Sequence, residues 1–207
     1  VDVWNLKAQK IDAKNYYGVT VANGMLGVVS SAEPFKVKDV DLAGAFDLYG
    51  RGRVSNFIRS FNLLNMQVSI DGDQVNASNT QHLQQHLNMQ EASFTTQCEM
   101  NDKASIEYTY YSLRQMPFTV LMDVTITAKK DITLGAASVM EAPDALKEVQ
   151  NYYNEIDRPH VVISLLSSSA KSPTGKMLMC ASNSFVFSEQ HGAEPRAVSY
   201  THLTLPT

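Results

Sequence analysis

The feature that most constrains this chain is an alternation of period two. Phe118, Val120, Met122, Val124 and Ile126 interleave with Thr119, Leu121, Asp123, Thr125 and Thr127. Successive side chains of an extended strand point to opposite faces, so this spacing gives one apolar face and one mostly polar face. Ile106, Tyr108 and Tyr110 repeat the pattern just upstream, and Pro117 stands at the join, where a strand can begin. Ile132, Leu134 and Ala136 resume it after Lys129-Lys130-Asp131. Met66, Val68 and Ile70 alternate into Asp71-Gly72, a dipeptide suited to a tight hairpin because glycine accepts a positive φ. Val161, Ile163 and Leu165 mark another strand, and Phe185 and Phe187 mark the last. Many strands punctuated by turns predict an all-β chain folded as a large antiparallel β-sandwich. Helical spacing occurs in two places. Leu146, Val149 and Tyr153 behind Pro143-Asp144 predict one short helix with Asp144 as its N-cap, and Leu83 and Leu87 predict a helical turn around 81–87.

The chain has 207 residues, enough for a substantial core, with ordinary apolar (44%) and charged (18%) content. A net charge of −4 argues against a nucleic-acid partner, which requires a basic face. No run approaches the ~20 apolar residues of a membrane-spanning helix. Cys98 and Cys180 read as free thiols, since two distant cysteines make neither a disulfide framework nor a zinc site. Without repeats or linkers, residues 1–197 read as one domain. Residues 198–207 stand apart: Val-Ser-Tyr-Thr-His-Leu-Thr-Leu-Pro-Thr matches one reading frame of a transposase-type sequencing adapter, so a non-native tail is expected there. With Val1 and not Met at its start, the chain is expected to be a piece of a longer protein.

Two clusters carry candidate chemistry. In Gly50-Arg51-Gly52-Arg53 the glycines let backbone approach a ligand and the arginines present planar forks of donors, with Asn56 close enough to join. No Gly-Lys-Ser/Thr follows, so this is not a phosphate-binding loop; the alternative is an exposed turn whose arginines dock on another domain. Residues 151–160 (Asn-Tyr-Tyr-Asn-Glu-Ile-Asp-Arg-Pro-His) form the densest polar and aromatic segment. Tyrosine rings stack on sugar faces, while Asp, Asn and Arg hydrogen-bond hydroxyls. Glu155 and Asp157 are close in sequence, but inverting glycosidases need carboxyls ~6.5–9.5 Å apart across a bound sugar, which sequence proximity does not establish. The alternative is a connecting loop held by an Asp–Arg pair. The substrate-rim candidates are therefore Arg51, Arg53, Asn56, Tyr153, Asp157, Arg158 and His160. No catalytic residue, metal ligand or cofactor is assigned. His82 and His86 share the i, i+4 spacing of a helical metal site but lack a third ligand. Ser172-Pro173-Thr174-Gly175-Lys176 reads as a hairpin turn. Asn76-Ala77-Ser78 is a glycosylation sequon, meaningful only in a eukaryotic secretory setting.

Several segments, in order, resemble the N-terminal domain of glycoside hydrolase family 65. Asn23-Gly24-Met25-Leu26-Gly27 is similar to an early Asn-Gly-x-Leu-Gly segment of that family. Asp41-Leu42-Ala43-Gly44-Ala45-Phe46-Asp47 resembles its strand of Leu or Ile, Ala-Gly, a small, an aromatic and an acidic residue. Phe61-Asn62-Leu63-Leu64-Asn65-Met66, running into Ile70-Asp71-Gly72, resembles its asparagine-rich loop, strand and hairpin. Leu87-Asn88-Met89 through Phe94-Thr95, and Tyr111-Ser112-Leu113-Arg114 with Phe118 to Ala128, resemble the strands that follow. The likeness covers most of residues 15–140. The arginine usual in the phosphorylase branch near the Thr95-Thr96 step is absent, which leaves phosphorylase and hydrolase both open.

The resemblance implies a galactose-mutarotase-like super-sandwich, with an (α/α)6 catalytic barrel and its general-acid glutamate further along the polypeptide. Family members cleave α-glucosidic oligosaccharides with inversion; phosphate attacks in the phosphorylases, and carboxylate-activated water in the hydrolases. It further implies a homodimeric parent, a sandwich packed on the barrel, and inorganic phosphate as a partner in one branch. This chain alone is expected to be inactive, with an exposed apolar face larger than monomers usually show and a tendency to self-associate. The substrate class points to the bacterial periplasm or a secreted setting, with the cytoplasm as the alternative. A rival reading is a free-standing carbohydrate-binding sandwich, which would gather Tyr16, Tyr17, Tyr152 and Tyr153 on one surface. A structural or adhesion sandwich with no sugar site is another.

Overall fold

The computed structural model describes residues 3–50, 54–158 and 161–184, with backbone alone at 157–158 and 161–164. The strands are β1 (Asn5–Ala8), β2 (Thr20–Ala22), β3 (Leu26–Ser30), β4 (Val37–Leu48), β5 (Ser55–Arg59), β6 (Met66–Ile70), β7 (Asp73–Gln74), β8 (Gln81–Asn88), β9 (Ser93–Met100), β10 (Ala104–Ser112), β11 (Val120–Ala128), β12 (Leu134–Ser138), β13 (Lys147–Arg158), β14 (Val161–Lys171) and β15 (Leu178–Asn183). All pair antiparallel, in sheets ordered β1-β8-β9-β10-β11, β2-β3-β4-β5, β12-β6-β7 and β13-β14-β15.

Three cores bind the sheets together. Val68 and Ile70 of β6 pack with Cys98, Met100, Ile106 and Tyr108 of the five-stranded sheet, and Phe35 stacks on Tyr108 at 4.8 Å between ring centroids. Leu26, Val28, Val37 and Val40 meet Phe94 and Tyr110 of the same large sheet. Ala45 and Ile58, further along β4 and β5, meet Phe61, Leu146, Ala170 and Met179 in a third core. The long strand β4 thus runs from one core into another, and the β13-β14-β15 sheet is anchored at its far end. This is the expected all-β sandwich.

The period-two reading holds from Val120 on: Val120, Met122, Val124 and Ile126 are half-buried, whereas Leu121, Asp123, Thr125 and Thr127 are exposed. Phe118, expected on the apolar face, precedes the strand and is exposed. Asp71 and Gly72 both have positive φ, 54° and 86°, the geometry of a two-residue hairpin turn whose twist matches its strands. Residues 172–176 form the β14–β15 turn, closed by Gly175 N–H donating to Ser172 O at 2.8 Å. In β12 the alternation is out of phase with the expectation, since Ala137 and Ser138 are buried and Leu134 is exposed. Phe185 and Phe187 lie outside the described residues.

Both predicted helices are strands. The segment with Val149 and Tyr153 is β13, zipped to β14 from Gln150↔Ser169 to Arg158↔Val161. Leu83 and Leu87 lie in β8, which is paired with β1 on one side and β9 on the other. A spacing of four is even, so it fits one face of a strand as well as one face of a helix. Partners from elsewhere in the chain decided the matter, with Val149, Tyr152, Tyr153 and Ile156 the residues of β13 that suit a pleated surface. Each strand opens with a register irregularity, where His82 (φ 53°) and Glu148 (φ 52°) adopt left-handed backbone. Asp144 caps no helix; a single turn follows it, and Leu146 enters the third core. Among the described residues the one helical element is the 3-10 turn Ala13–Asn15, capped by Asp12, whose Oδ1 accepts from Lys14 N at 3.0 Å.

Candidate functional site

The first candidate cluster falls at the β4–β5 end. Here β4 shifts register between Asp41 and Phe46, at Gly44 with φ 81°, a backbone that favours glycine. Beyond the shift Phe46 faces Phe57, Asp47 faces Asn56 and Leu48 faces Ser55. Asp47 is 4% exposed. Its carboxylate accepts from Thr174 N at 2.9 Å, Thr174 Oγ1 at 2.7 and 2.8 Å, and Leu48 N at 2.8 Å. Hydrogen bonds from Ser172 and Thr174 hold this carboxyl far below the usual carboxylate range. A group so acidic takes up no proton near neutrality; it ties β4 to the β14–β15 turn. Asn56 Nδ2 donates to Tyr49 O and, at 3.5 Å, to Val54 O, closing the β4–β5 connection on itself. Arg51 and Arg53 lie outside the described residues.

The second cluster belongs to β13 and the connection to β14. Tyr153 is 40% exposed, and its hydroxyl donates to Glu155 Oε2 at 3.2 Å. The Tyr152 hydroxyl donates to Gln150 Oε1 at 2.5 Å. As adjacent residues of a strand, the two tyrosines face opposite sides. Asp157 and Arg158 stand opposite Val162 and Val161 at the end of β13, so they belong to a strand and not to a connecting loop. His160 lies outside the described residues.

Among the described residues, Asn56 of β5 and Tyr153, Asp157 and Arg158 of β13 stand in different sheets. Asp47, the neighbour of Asn56, holds Thr174, just past the C-terminal end of β14, whereas Asp157 and Arg158 pair with its N-terminal end. Tyr153 pairs with Leu166, which leaves roughly 20 Å of strand before Ser172 at about 3.3 Å per residue.

The sequence reading missed the structural work of polar residues within the family-like motifs. Asn23 Oδ1 accepts from Met25 N and Leu26 N, both at 2.9 Å, while its Nδ2 donates to Leu113 O (2.7 Å) and Pro117 O (2.9 Å). It closes the β2–β3 turn and pins the β10–β11 connection to it. Asn65, fully buried, accepts from Val37 N at 2.8 Å and donates to Glu141 Oε2 at 2.7 Å. Asn62 pairs with Glu141 through the backbone at 2.8 Å. The available signal was the density of asparagines beside apolar runs, since a buried amide persists only with its hydrogen bonds made.

Tyr16 is half-buried, and its hydroxyl reaches Ser30 Oγ at 2.5 Å and Gln85 Oε1 at 2.6 Å, so it is a packing residue. With Tyr152 and Tyr153 on opposite faces, the four tyrosines form no common sugar platform. Open depressions occur among the described residues. One of about 350 Å3 on the outer face of the large sheet is lined by His82, Gln84, Gln97, Glu107 and Thr125. An apolar one of about 390 Å3 is lined by Ala22, Tyr111, Leu113, Arg114 and Leu121. Neither includes a rim candidate. Among the described residues no three His, Cys, Asp or Glu side chains group in a way that could hold a metal.

Fold and hydrogen bonding together define an antiparallel β-sandwich whose recognisable motifs act as staples between sheets. No known family model matches the chain. Over 195 residues, 94% of its length, it is 64% identical to the kojibiose hydrolase of Mucilaginibacter mallensis, of which it covers 29%. Over 194 residues it is 44% identical to the kojibiose hydrolase of Flavobacterium johnsoniae, of which it covers 28%. The chain therefore spans less than a third of the length of these relatives.

Proposed function

We propose that residues 1–197 form the N-terminal β-sandwich domain of a kojibiose-cleaving glycoside hydrolase of family 65, whose catalytic barrel lies in polypeptide this chain does not span. The observation that carries this reading is 64% identity along 94% of the chain to a kojibiose hydrolase more than three times as long. Both relatives being hydrolases favours water over phosphate as the nucleophile. In an inverting hydrolysis one carboxylate activates that water while a carboxylic acid protonates the departing glycosidic oxygen. In this reading both reside in the barrel, and the sandwich contributes support and part of the pocket rim. In this reading the rim draws on one of two groups, Arg51, Arg53 and Asn56 or Tyr153, Asp157, Arg158 and His160; that Asn56 and Tyr153 stand in different sheets supports treating them separately.

The test uses the chain alone and the chain fused in place of its matching segment of the M. mallensis protein. The isolated chain should release no glucose from kojibiose, with or without phosphate; the fusion should release it without consuming phosphate. Turnover by the isolated chain, or phosphate-dependent turnover by the fusion, refutes the reading. Within an active fusion, Arg51→Ala with Arg53→Ala and Asp157→Ala with His160→Ala should raise KM for kojibiose in only one of the two pairs.

A further inference from the structure

The outer face of the β4–β5 hairpin is an exposed apolar surface. Phe46, Leu48 and Phe57, which alternation and register place on this one face, are each between 40% and 54% exposed. Phe46 and Phe57 are directly opposed across the two strands and meet edge to face, with ring centroids 5.6 Å apart and planes at 77°. Such pairs normally sit inside cores or interfaces, where their area is removed from water. The hairpin is also stiff from behind. Ala45 and Ile58 point into the third core, and Asp47 is locked to Thr174. With Phe46 and Phe57 about half exposed, no described strand packs over this face.

We propose that this face is the seat of the remaining part of the same polypeptide, the stretch of a kojibiose-hydrolase-type protein that the chain does not span. This rests on the functional reading above. Two observations choose that occupant over a free partner or a second copy. The relatives carry about seven-tenths of their length beyond the matched region, since the chain covers 29% of one and 28% of the other. The exposed part of Phe46, Leu48 and Phe57 amounts to roughly 250 Å2, about a third of the ~800 Å2 per partner that a freely associating complex requires. An area of that size suits a contact held in place by a covalent connection, as between domains of one chain.

Hydroxyl-radical footprinting read by mass spectrometry tests the assignment on the isolated chain and on the fusion with the M. mallensis remainder. Phe46 and Phe57 should be oxidised about fivefold less in the fusion, as expected for rings entering an interface core. Met116 and Phe118, exposed at the β10–β11 end, should keep their reactivity. A fusion that hydrolyses kojibiose while both rings stay as reactive as in the isolated chain overturns the docking face and leaves the functional reading standing. A folded fusion without kojibiose hydrolysis overturns the functional reading, and ring protection still decides the face. Mixing the isolated chain with the separately produced remainder gives the same readout without a fusion. Protection of Phe46 and Phe57 on mixing supports the proposal, and protection of Met116 and Phe118 in their place overturns it. Protection that grows with the concentration of the isolated chain alone assigns the face to a second copy and likewise overturns it.

Discussion

Replacing Asn65 by alanine should cost this protein a large part of its stability, and the reason is visible in two hydrogen bonds. Asn65 sits where the loop after β5 enters β6, and 1% of it is exposed. Its Oδ1 accepts from the buried Val37 N–H at 2.8 Å, and its Nδ2 donates to Glu141 Oε2 at 2.7 Å. Alanine leaves the Val37 N–H with no acceptor, and an orphaned buried donor costs about 1–3 kcal/mol. The bond to Glu141 adds less than a fully buried charge-assisted bond would, because that carboxylate is 45% exposed and finds water. A total of about 2–4 kcal/mol follows, set against the ~5–15 kcal/mol typical of a folded domain. In urea, with a slope of about 2 kcal/mol per molar, the midpoint should fall by about 1–2 M. Asn65→Asp gives a second reading of the same geometry. It keeps the acceptor for Val37 but places a carboxylate against Glu141, which raises the folded pKa of the pair. The variant should therefore be destabilised at neutral pH and recover as the pH falls and the pair takes up a proton. A midpoint shift below about 0.3 M for Asn65→Ala would show that water satisfies Val37 and refute the argument.

Three further outcomes follow from other sites. Asp47, with its folded pKa depressed by Ser172 and Thr174, lends stability that is fully present above the unfolded carboxylate value near 4 and is lost as pH falls toward the folded value; Asp47→Asn should flatten that acid limb in pH-dependent urea melts, and an unchanged limb would exclude Asp47 as its source. Burial pushes the Cys98 thiol up to about 11 while Cys180 is exposed, so at pH 8 a disulfide-exchange reagent should titrate one thiol in the native protein and both after denaturation; two fast native thiols would contradict the packing of β9. Phe61 is wholly buried in the third core, and Phe61→Ala should cost about 3–5 kcal/mol in urea melts; a loss under about 1 kcal/mol would mean that this core is not closed.

Fold class was legible because period two is a local property. The alternation of Val120 to Thr127 and the Asp71-Gly72 turn needed no knowledge of their partners. The β13 and β8 segments were misread because Leu146, Val149 and Tyr153, and Leu83 and Leu87, include spacings that both periods allow, and only pairing with β14, or with β1 and β9, removes the ambiguity. For the candidate site, sequence located two polar and aromatic clusters but could not tell that Asn56 of one and Tyr153 of the other stand in different sheets. Chain proximity carries no information about which end of a sheet a loop occupies.

By itself, then, the sequence determined strand content and hairpin positions, because side-chain alternation and turn chemistry are written within a few residues of each other. Tertiary structure alone decided that Asp47 belongs to the β14–β15 turn, that Asn23 and Asn65 bind separate segments, and that Phe46 and Phe57 face outward together. Those contacts join residues up to 127 positions apart. They exist only once the sheets have stacked, since a buried carboxylate or amide is tolerated only where distant donors and acceptors have been brought within hydrogen-bonding reach.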